Sequence, residues 1–441
     1  MYGRMIGREN EPRRSIHAPP GKHPAVKMPA LLTTLILLSL GTTAVADERS
    51  DWRQWRGPNG NGIAAEGQTP PTEWGDSKNV VWKTPVPGRG HSSPTVVGGK
   101  IILTTADDEA KTQSVLGFDR ATGKPLWNTV VNRGGFPRRI HPKNTHATPT
   151  AATNGKQVFV TFDAHTAVQL AALDLDGKIL WKKSAGAFEP RRYPYGYAPS
   201  PTLYRNLVIV SGESDAAGFL AAFDQKDGRE VWRTKRTAQI SYTSPIVAKV
   251  AGREQLLMSG AKTIAAYDPA TGKELWSTEG LCTVTCGTVV WDDRRVFVSG
   301  GYPQRGTIAI HANGSGKVAW KNTVKCYEQS MLVHNGYVYA VDDGGTAYCW
   351  KADSGEQQWR TRLGGPISAS PILAGGHLYV SNERGTTFVF KADPAKFQLV
   401  AGNRLGDSTF ATPTICGNRI YLRIATRGRD RQEWLYCIGR K

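Results

Sequence analysis

The sequence predicts an all-β fold, an eight-bladed β-propeller of four-stranded antiparallel blades, with seven blades as the alternative. Three observations lead to this prediction. A short phrase that ends in Trp recurs every 40 to 50 residues, and a Ser/Thr-Pro pair recurs upstream of it. Between the two lie alternating stretches rich in Val, Ile and Tyr. Repeats of this length are typical of propeller blades, and the alternation is typical of β-strands.

The Trp phrase predicts the third strand of a blade, a Gly-containing turn and the fourth strand. Its six copies are FDRATGKPLW (118–127), LDLDGKILW (173–181), FDQKDGREVW (223–232), YDPATGKELW (267–276), HANGSGKVAW (311–320) and WKADSGEQQW (350–359). Each Trp should lie flat between neighbouring blades, against the third strand of the next blade, because an indole buries a large area there. The predicted structural residues are Trp82, Trp127, Trp181, Trp232, Trp276, Trp320 and Trp359.

The second marker predicts where each blade starts. Its copies are Ser93-Pro94, Thr148-Pro149, Ser200-Pro201, Ser244-Pro245, Ser370-Pro371 and Thr412-Pro413, with degenerate copies at Cys286-Gly287 and Gln329-Ser330. The seventh unit has no Trp phrase, and residues 397–400 are predicted to take the place of its Trp-bearing fourth strand. The eighth unit has only three strands, so residues 79–83 are expected to supply the fourth and close the ring without an open edge.

Residues 1–46 are predicted to form a secretory signal peptide, with Met28 as an alternative start. The apolar run at 31–40 is too short to span a bilayer, and small residues up to Ala46 follow it. We therefore expect no membrane span and a soluble, periplasmic or secreted protein after cleavage near Ala46. Residues 47–78 are predicted to pack on the propeller of residues 79–441 as a plug or latch.

The formal net charge of the chain is +19, and loss of six cationic and two anionic residues with the signal peptide leaves +15. Such an excess attracts anionic partners, although it can also serve solubility alone. Nucleic acid is not expected outside the cytoplasm. The remaining partner classes are an anionic glycan, a cell-wall polymer or a protein.

Six cysteines in an exported chain permit disulfides. Cys282, Cys286 and Cys326 lie in two consecutive interblade segments. We expect at most one or two bridges, with these three residues as the participants.

The Trp phrases resemble the tryptophan-docking repeat of the pyrroloquinoline quinone (PQQ) propeller superfamily, which includes quinoprotein alcohol dehydrogenases and the assembly lipoprotein BamB. The similarity covers about residues 92–441. More narrowly, DWRQWRGPNGNGI (51–63) and the stretch from GREQLLMSGA to YDPATGKELW (252–276) resemble the PQQ-like propeller proteins of planctomycetes. The resemblance implies a fold rather than a reaction.

The interblade segments join the fourth strand of one blade to the first strand of the next and form the top face, where ligands are expected. Arg, His and Tyr dominate them. Guanidinium groups suit anions, and Tyr offers flat faces. The predicted ligand-binding residues are Arg89, His91, Arg139, His141, His146, Arg191, Arg192, Tyr195, Tyr197, Tyr242, Tyr327 and Glu328.

The favoured interpretation is a non-catalytic binding or scaffold protein for an anionic ligand or partner, without cofactor or metal. The alternative is an enzyme at the same mouth, either an oxidoreductase with PQQ and Ca²⁺ or a polysaccharide-acting enzyme. In that case Arg191, Arg192 and His146 would bind an anion, and Glu328 or His141 would act as acid or base. The resemblance implies that a quinoprotein dehydrogenase carries a disulfide between adjacent cysteines, an acidic base and Ca²⁺ ligands. This chain has no Cys-Cys pair and few acids in these segments.

Overall fold

Thirty-two β-strands and no helix make up the part of the chain that the computed structural model describes, which is Gly21, residues 51–428 and residues 430–440. The strands form eight sheets of four antiparallel strands each. The predicted eight-bladed β-propeller is therefore confirmed. Except for Gly21, the predicted signal peptide at 1–46 lies outside the described residues.

In chain order the strands are β1 (Val80–Val86), β2 (Thr95–Val97), β3 (Lys100–Asp107), β4 (Thr112–Asp119), β5 (Pro125–Arg133), β6 (Ala152–Thr153), β7 (Gln157–Ala164), β8 (Ala167–Asp174), β9 (Ile179–Ala187), β10 (Thr202–Tyr204), β11 (Leu207–Glu213), β12 (Gly218–Asp224), β13 (Glu230–Arg236), β14 (Ile246–Val250), β15 (Arg253–Gly260), β16 (Thr263–Tyr267), β17 (Glu274–Glu279), β18 (Val290–Trp291), β19 (Arg295–Gly300), β20 (Gly306–His311), β21 (Val318–Asn322), β22 (Leu332–His334), β23 (Tyr337–Val341), β24 (Thr346–Lys351), β25 (Gln357–Arg362), β26 (Ile372–Ala374), β27 (His377–Ser381), β28 (Thr386–Lys391), β29 (Leu399–Arg404), β30 (Thr414–Cys416), β31 (Arg419–Arg427) and β32 (Arg431–Ile438). Blades 1 to 7 each consist of four consecutive strands, beginning with β2.

Blade 8 closes the ring with strands from both ends of the described chain. Its order is β1-β32-β31-β30, and Trp82 of β1 pairs with Cys437 of β32. The sequence predicted this closure, although the strand runs to Val86 rather than ending at residue 83. Because the last blade contains the first strand, the join leaves no unpaired edge at that point.

A Trp on the fourth strand fills the seam between most neighbouring blades. Trp127 lies over Gly177, in the turn that follows the third strand of the next blade, and its Nε1 donates to the Leu175 carbonyl at 3.1 Å. A Cβ on Gly177 would lie 2.6 Å from the indole, and φ is +86° there, so the seam requires glycine. The same close approach joins Trp82 to Gly123, Trp181 to Gly228, Trp232 to Gly272 and Trp320 to Gly355.

Blade 7 lacks this Trp, and the N-terminal segment supplies one. Ala401 pairs with Val389 at the register position that Trp occupies in the other blades. Trp74 instead stacks on Tyr379 of β27 at 6.3 Å, as Trp359 packs on Tyr339 of β23 at 6.1 Å. The fourth strand of this blade, β29, begins at Leu399, within the predicted residues 397–400, but the packing role of the missing indole passes to Trp74. The replacement comes from a different part of the chain.

The N-terminal segment (residues 51–78) crosses one end of the channel and contacts several blades. Trp52 pairs with Val96 of blade 1, and the Arg53 carbonyl accepts from Thr153 of blade 2 at 2.8 Å. Farther along, Ile63 pairs in parallel with Leu373 of blade 7. These backbone contacts are all made to the first strands of the blades, β2, β6 and β26, so the segment lies across the channel.

A ring of hydroxyl side chains encircles the channel at the start of the first strands. Seven hydrogen bonds from the backbone N–H of one ring residue to the hydroxyl of the next, at 2.9–3.1 Å, link the blades. The ring residues are Ser93, Thr150, Ser200, Ser244, Thr288, Ser330, Ser370 and Thr412. Each lies two residues before its strand. The markers placed at Thr148 and Cys286 are therefore wrong by two residues.

Candidate functional site

The interblade segments enclose a cavity of about 340 Å³ at the centre of the propeller, which we call the mouth. One residue from each blade lines it, two positions before the ring hydroxyl. These residues are His91, Thr148, Ala198, Tyr242, Cys286, Glu328, Ser368 and Phe410. Trp55 of the N-terminal segment also lines the cavity, and its Nε1 donates to the ring residue Thr288 at 2.9 Å. The indole therefore closes the floor of the mouth at the level of the ring.

One side of the mouth is a cluster of tyrosines from blades 3 to 6. Tyr195 lies face to face with Tyr242 at 6.3 Å, and Tyr193 meets Tyr302 edge to face at 5.4 Å. The Tyr242 hydroxyl donates to the Tyr193 carbonyl at 2.7 Å. Burial raises the pKa of Tyr242 and of Tyr327, so both remain neutral phenols. The rings are fixed in place by the protein before any ligand arrives.

The other side is polar, with Glu328 in the lining and Glu383 behind it, bonded to two lining residues. Ser368 donates to Glu383 at 2.7 Å and also contacts Glu328. Glu328 keeps contact with solvent inside the recess, but desolvation by the walls raises its pKa, against the opposing effects of Ser368 and Lys143. Lys143 forms an ion pair with Glu383 at 2.8 Å. The single lysine of the mouth is therefore already paired with a carboxylate.

The segment between β5 and β6 (residues 134–151) reaches across the mouth. The Lys143–Glu383 pair joins it to blade 7, which is not a neighbour of blades 1 and 2 in the ring. Within this segment, the Pro142 carbonyl accepts a hydrogen bond from Arg89 at 3.3 Å, and the Asn144 side chain donates one to the Tyr195 carbonyl. Partial burial lowers the pKa of Lys143, but the hydrogen bond and charge of Glu383 outweigh it and raise the pKa overall. We call residues 137–146 of this segment the strap.

His91 lines the mouth as a neutral ring. It stacks on Phe410 at 4.5 Å, and its Nε2 is buried without a hydrogen bond among the described residues. Burial lowers the pKa of His91 well below its ordinary value, and the charges of Arg89 and Arg423 lower it further. The imidazole therefore adds no positive charge to the mouth at neutral pH.

The predicted residues separate into two groups. Those that line the mouth are His91, His141, Tyr195, Tyr242, Tyr327 and Glu328. The arginines lie outside it. Arg191 is exposed and pairs with Glu189 at 3.0 Å, Arg192 packs over Tyr193 at 5.5 Å, and Arg139 is exposed. Arg89 lies half-buried under the strap.

Two further predicted residues belong to the protein interior. Tyr197 is buried, and its hydroxyl donates to the Ser211 carbonyl at 2.8 Å. His146 packs on Phe136 at 4.3 Å, faces Asp108 at 3.8 Å, and has its pKa lowered by burial. Neither lines the mouth, and both border a separate small pocket beside Asp163.

All six cysteines are free thiols in the structure. The disulfide expected among Cys282, Cys286 and Cys326 is therefore not formed in it. Cys282 and Cys326 are buried, whereas Cys286 is half-exposed and lines the mouth. Burial and the nearby charge of Glu328 raise the pKa of the Cys286 thiol well above its ordinary value.

The side chains of the mouth do not fit PQQ with a bound Ca²⁺. PQQ is a planar tricarboxylate, and the lining offers one lysine that already holds Glu383, a neutral His91 and no arginine among the described residues. In the described residues, no group of three or more His, Cys, Asp or Glu could hold a metal ion. Ca²⁺ takes six to eight oxygen ligands, usually with several carboxylates among them, and the described lining offers one carboxylate, Glu328.

Sequence reasoning missed Trp55, Tyr193, Tyr302, Lys143 and Phe410, all of which line the mouth. One signal was present for Phe410, because it stands two residues before a ring hydroxyl, as Tyr242 and Glu328 do. Trp55 and Tyr302 had no such signal. Their position depends on how the N-terminal segment and the turn of blade 5 fold over the channel.

The family model described as outer membrane protein assembly factor BamB matches residues 65–138, 111–303 and 304–396. Among curated proteins, the dehydrogenase subunit of the quinone-dependent alcohol dehydrogenase of Gluconobacter oxydans is 32% identical over 148 residues. That match covers 32% of this chain and 18% of the relative, so it spans less than a fifth of that protein's length. The corresponding subunit of Gluconacetobacter polyoxogenes is 31% identical over 153 residues.

Solved structures share the fold at low sequence identity. BamB from Moraxella catarrhalis superimposes with a TM-score of 0.58 at 15% identity, covering 81% of this chain and 98% of that protein. A europium-containing methanol dehydrogenase gives a TM-score of 0.64 at 12% identity, covering 90% and 99%. These likenesses establish the propeller and nothing about the reaction. Within the described residues, no helix has the length and apolarity needed to cross a membrane.

Proposed function

This chain belongs to the PQQ-like β-propeller family of the assembly factor BamB, and on that premise we propose that it is an exported, non-catalytic binding protein whose ligand enters the mouth. The signal peptide predicted at 1–46 is the basis for export. A cell-wall polymer, a glycan or a protein segment is the kind of partner that an exported propeller of this family would meet. Arg139, Arg191 and Arg192, which lie outside the mouth, would at most speed the approach of an anionic partner.

The observation that carries the proposal is the make-up of the mouth. It is a blind cavity of about 340 Å³, floored by Trp55 and walled by tyrosines whose orientation the protein fixes. A cavity of this size with aromatic walls and a few convergent polar groups has the properties of a small-molecule or chain-end site. Its lysine is already held in the Lys143–Glu383 pair, which ties the strap to blade 7.

The second candidate function is a quinone-dependent oxidoreductase. One specific observation favours it, the 32% identity over 148 residues to an alcohol dehydrogenase subunit. The poor fit of the mouth to a tricarboxylate and to Ca²⁺ opposes it. If PQQ were bound, it would supply the two-electron oxidation, and Trp55 and Glu328 are the aromatic and carboxylate residues of the lining that would be available to hold it.

A titration of the mature protein with PQQ, with and without Ca²⁺, tests the proposal. Absorbance and melting temperature report binding, and a dye-linked assay with ethanol and glucose reports oxidation. We expect no stoichiometric quinone spectrum, no rise in melting temperature and no turnover above free PQQ. A one-to-one spectrum together with alcohol oxidation would replace the binding role with the dehydrogenase.

A further inference from the structure

Resting on the proposed binding role of the mouth, we propose that its ligand is the end of a neutral saccharide. The net charge of the chain suggested an anion instead. The charge of the mouth supports a neutral ligand, and its hydroxyl ring and aromatic faces support a saccharide.

The charge of the mouth is close to zero although the whole chain is strongly basic. Among the described lining residues, the Lys, Arg, Asp and Glu side chains are Lys143 and Glu328, which are of opposite sign. Lys143 is held at 2.8 Å by Glu383, and His91 is neutral. An anionic ligand would have to displace Glu383 from Lys143, whereas an uncharged ligand meets no such cost.

The hydroxyl ring presents donors toward the channel. Thr150, Ser200 and Thr412 line the mouth, and each hydroxyl oxygen accepts a backbone N–H from the neighbouring blade at about 3 Å. Because a hydroxyl can accept and donate at once, each O–H is left to donate. A ligand rich in hydroxyl groups can both accept these bonds and donate to Glu328.

Tyr195 and Tyr242 contribute aromatic surface to the lining of the mouth. The Tyr242 hydroxyl donates to the Tyr193 carbonyl. The Tyr195 ring packs against His141, Tyr193 and Tyr242, and Tyr195 remains 37% exposed. The C–H faces of a sugar ring pack on such aromatic faces while its hydroxyl groups reach the polar wall. Because Trp55 closes the floor, a chain end fits the mouth and the middle of a polymer does not.

Isothermal titration calorimetry with short neutral oligosaccharides of gluco, xylo, manno and galacto configuration, and with oligogalacturonate as the acidic counterpart, tests this inference. We expect a neutral oligosaccharide to bind with an affinity that changes less than about twofold between low and high salt, because no charge pair forms. Tyr195→Ala should weaken it about tenfold, as loss of an aromatic face and its burial implies. The double variant Arg191→Ala/Arg192→Ala is the matched control and should bind like the wild type.

Chromatography of the sugars after incubation separates the two proposals. If a neutral sugar binds and is oxidised or cleaved, the ligand class holds and the non-catalytic role fails. If only the acidic sugar binds, and the double arginine variant weakens it, the ligand class is overturned while the binding role remains. Absence of binding by every neutral oligosaccharide also overturns the ligand class.

Discussion

The seams between blades and the lining of the mouth are built from the same repeat, yet they differ in how much the repeat is kept. The eight ring residues are all Ser or Thr, and a Trp packs in nearly every seam. In contrast, the eight residues that stand two positions earlier are eight different amino acids, from Ala198 to Glu328. The repeated Ser, Thr and Trp residues therefore build and close the ring of blades. The position two residues before each ring residue is not repeated, and its varied side chains give the mouth its chemistry.

Blade 7 sharpens this comparison, because there the seam itself departs from the repeat. Ala401 takes the position of Trp, and Trp74 of the N-terminal segment fills the space against Tyr379. The seam is thus maintained by a residue from outside the repeat. An aromatic side chain therefore fills this seam even where the repeat does not supply one.

The largest loss of stability is expected when the Trp is removed from a seam, both in an ordinary seam and in the seam of blade 7. Trp232→Ala and Trp74→Ala should each lower the free energy of unfolding by about 3–5 kcal/mol, as for other large truncations in a core. Denaturant unfolding measures both. Val231→Ala, at an exposed position beside Trp232, is the control and should change stability by less than about 0.5 kcal/mol. A Trp74→Ala variant as stable as the wild type would refute the role of Trp74 in the seam.

A smaller effect is expected from Asp163, which lies buried behind the strap beside Tyr197. Burial raises the pKa of Asp163 from 3.8 to about 7. Because the folded state holds this proton more tightly, the contribution of Asp163 is fully present below about pH 4 and is lost as pH rises through 7. Three pKa units correspond to at most about 4 kcal/mol.

Melting temperatures between pH 4 and pH 8 measure this contribution. We expect Asp163→Asn to remove most of the decline toward neutral pH, so that the variant is more stable than the wild type above pH 7. Asp227→Asn, on an exposed turn, should leave the decline unchanged. Parallel pH profiles for wild type and Asp163→Asn would contradict the buried, protonated carboxyl.

The smallest expected effect on stability comes from Lys143. The pair with Glu383 is partly exposed, so Lys143→Ala should cost less than about 1 kcal/mol. The same variant should speed the reaction of the Cys286 thiol with a maleimide, because the strap is released from blade 7. Lys351→Ala removes an exposed pair with Glu356 outside the mouth and should leave the labelling rate unchanged. Equal labelling rates in all three proteins would show that the strap does not restrict entry.

The sequence was sufficient for the features that repeat. The blade count, the closure by β1 and the seam Trp residues follow from patterns that recur with fixed spacing. The markers in blades 2 and 5 were misplaced because Thr148 and Cys286 look like ring residues, whereas Thr150 and Thr288 complete the hydrogen-bonded ring.

The site was predicted less well, for a physical reason. Long interblade segments are rich in Arg, but whether a side chain faces the channel or solvent depends on the path of the segment. Arg191 and Arg192 turn outward, and the backbone N–H groups of both donate to Asp215. Composition alone therefore indicated a basic mouth where the structure has an aromatic one.

Cys286 offers the most direct test that the mouth is the binding site, since it lines the cavity and the other five cysteines are buried. The measurement is the rate at which Cys286 reacts with a maleimide, at saturating concentrations of any oligosaccharide or quinone that raises the melting temperature. Cys286→Ser sets the background. We expect such a ligand to slow the labelling about tenfold or more by covering the thiol. A ligand that stabilises the protein but leaves the labelling rate unchanged would contradict this expectation and place the site elsewhere.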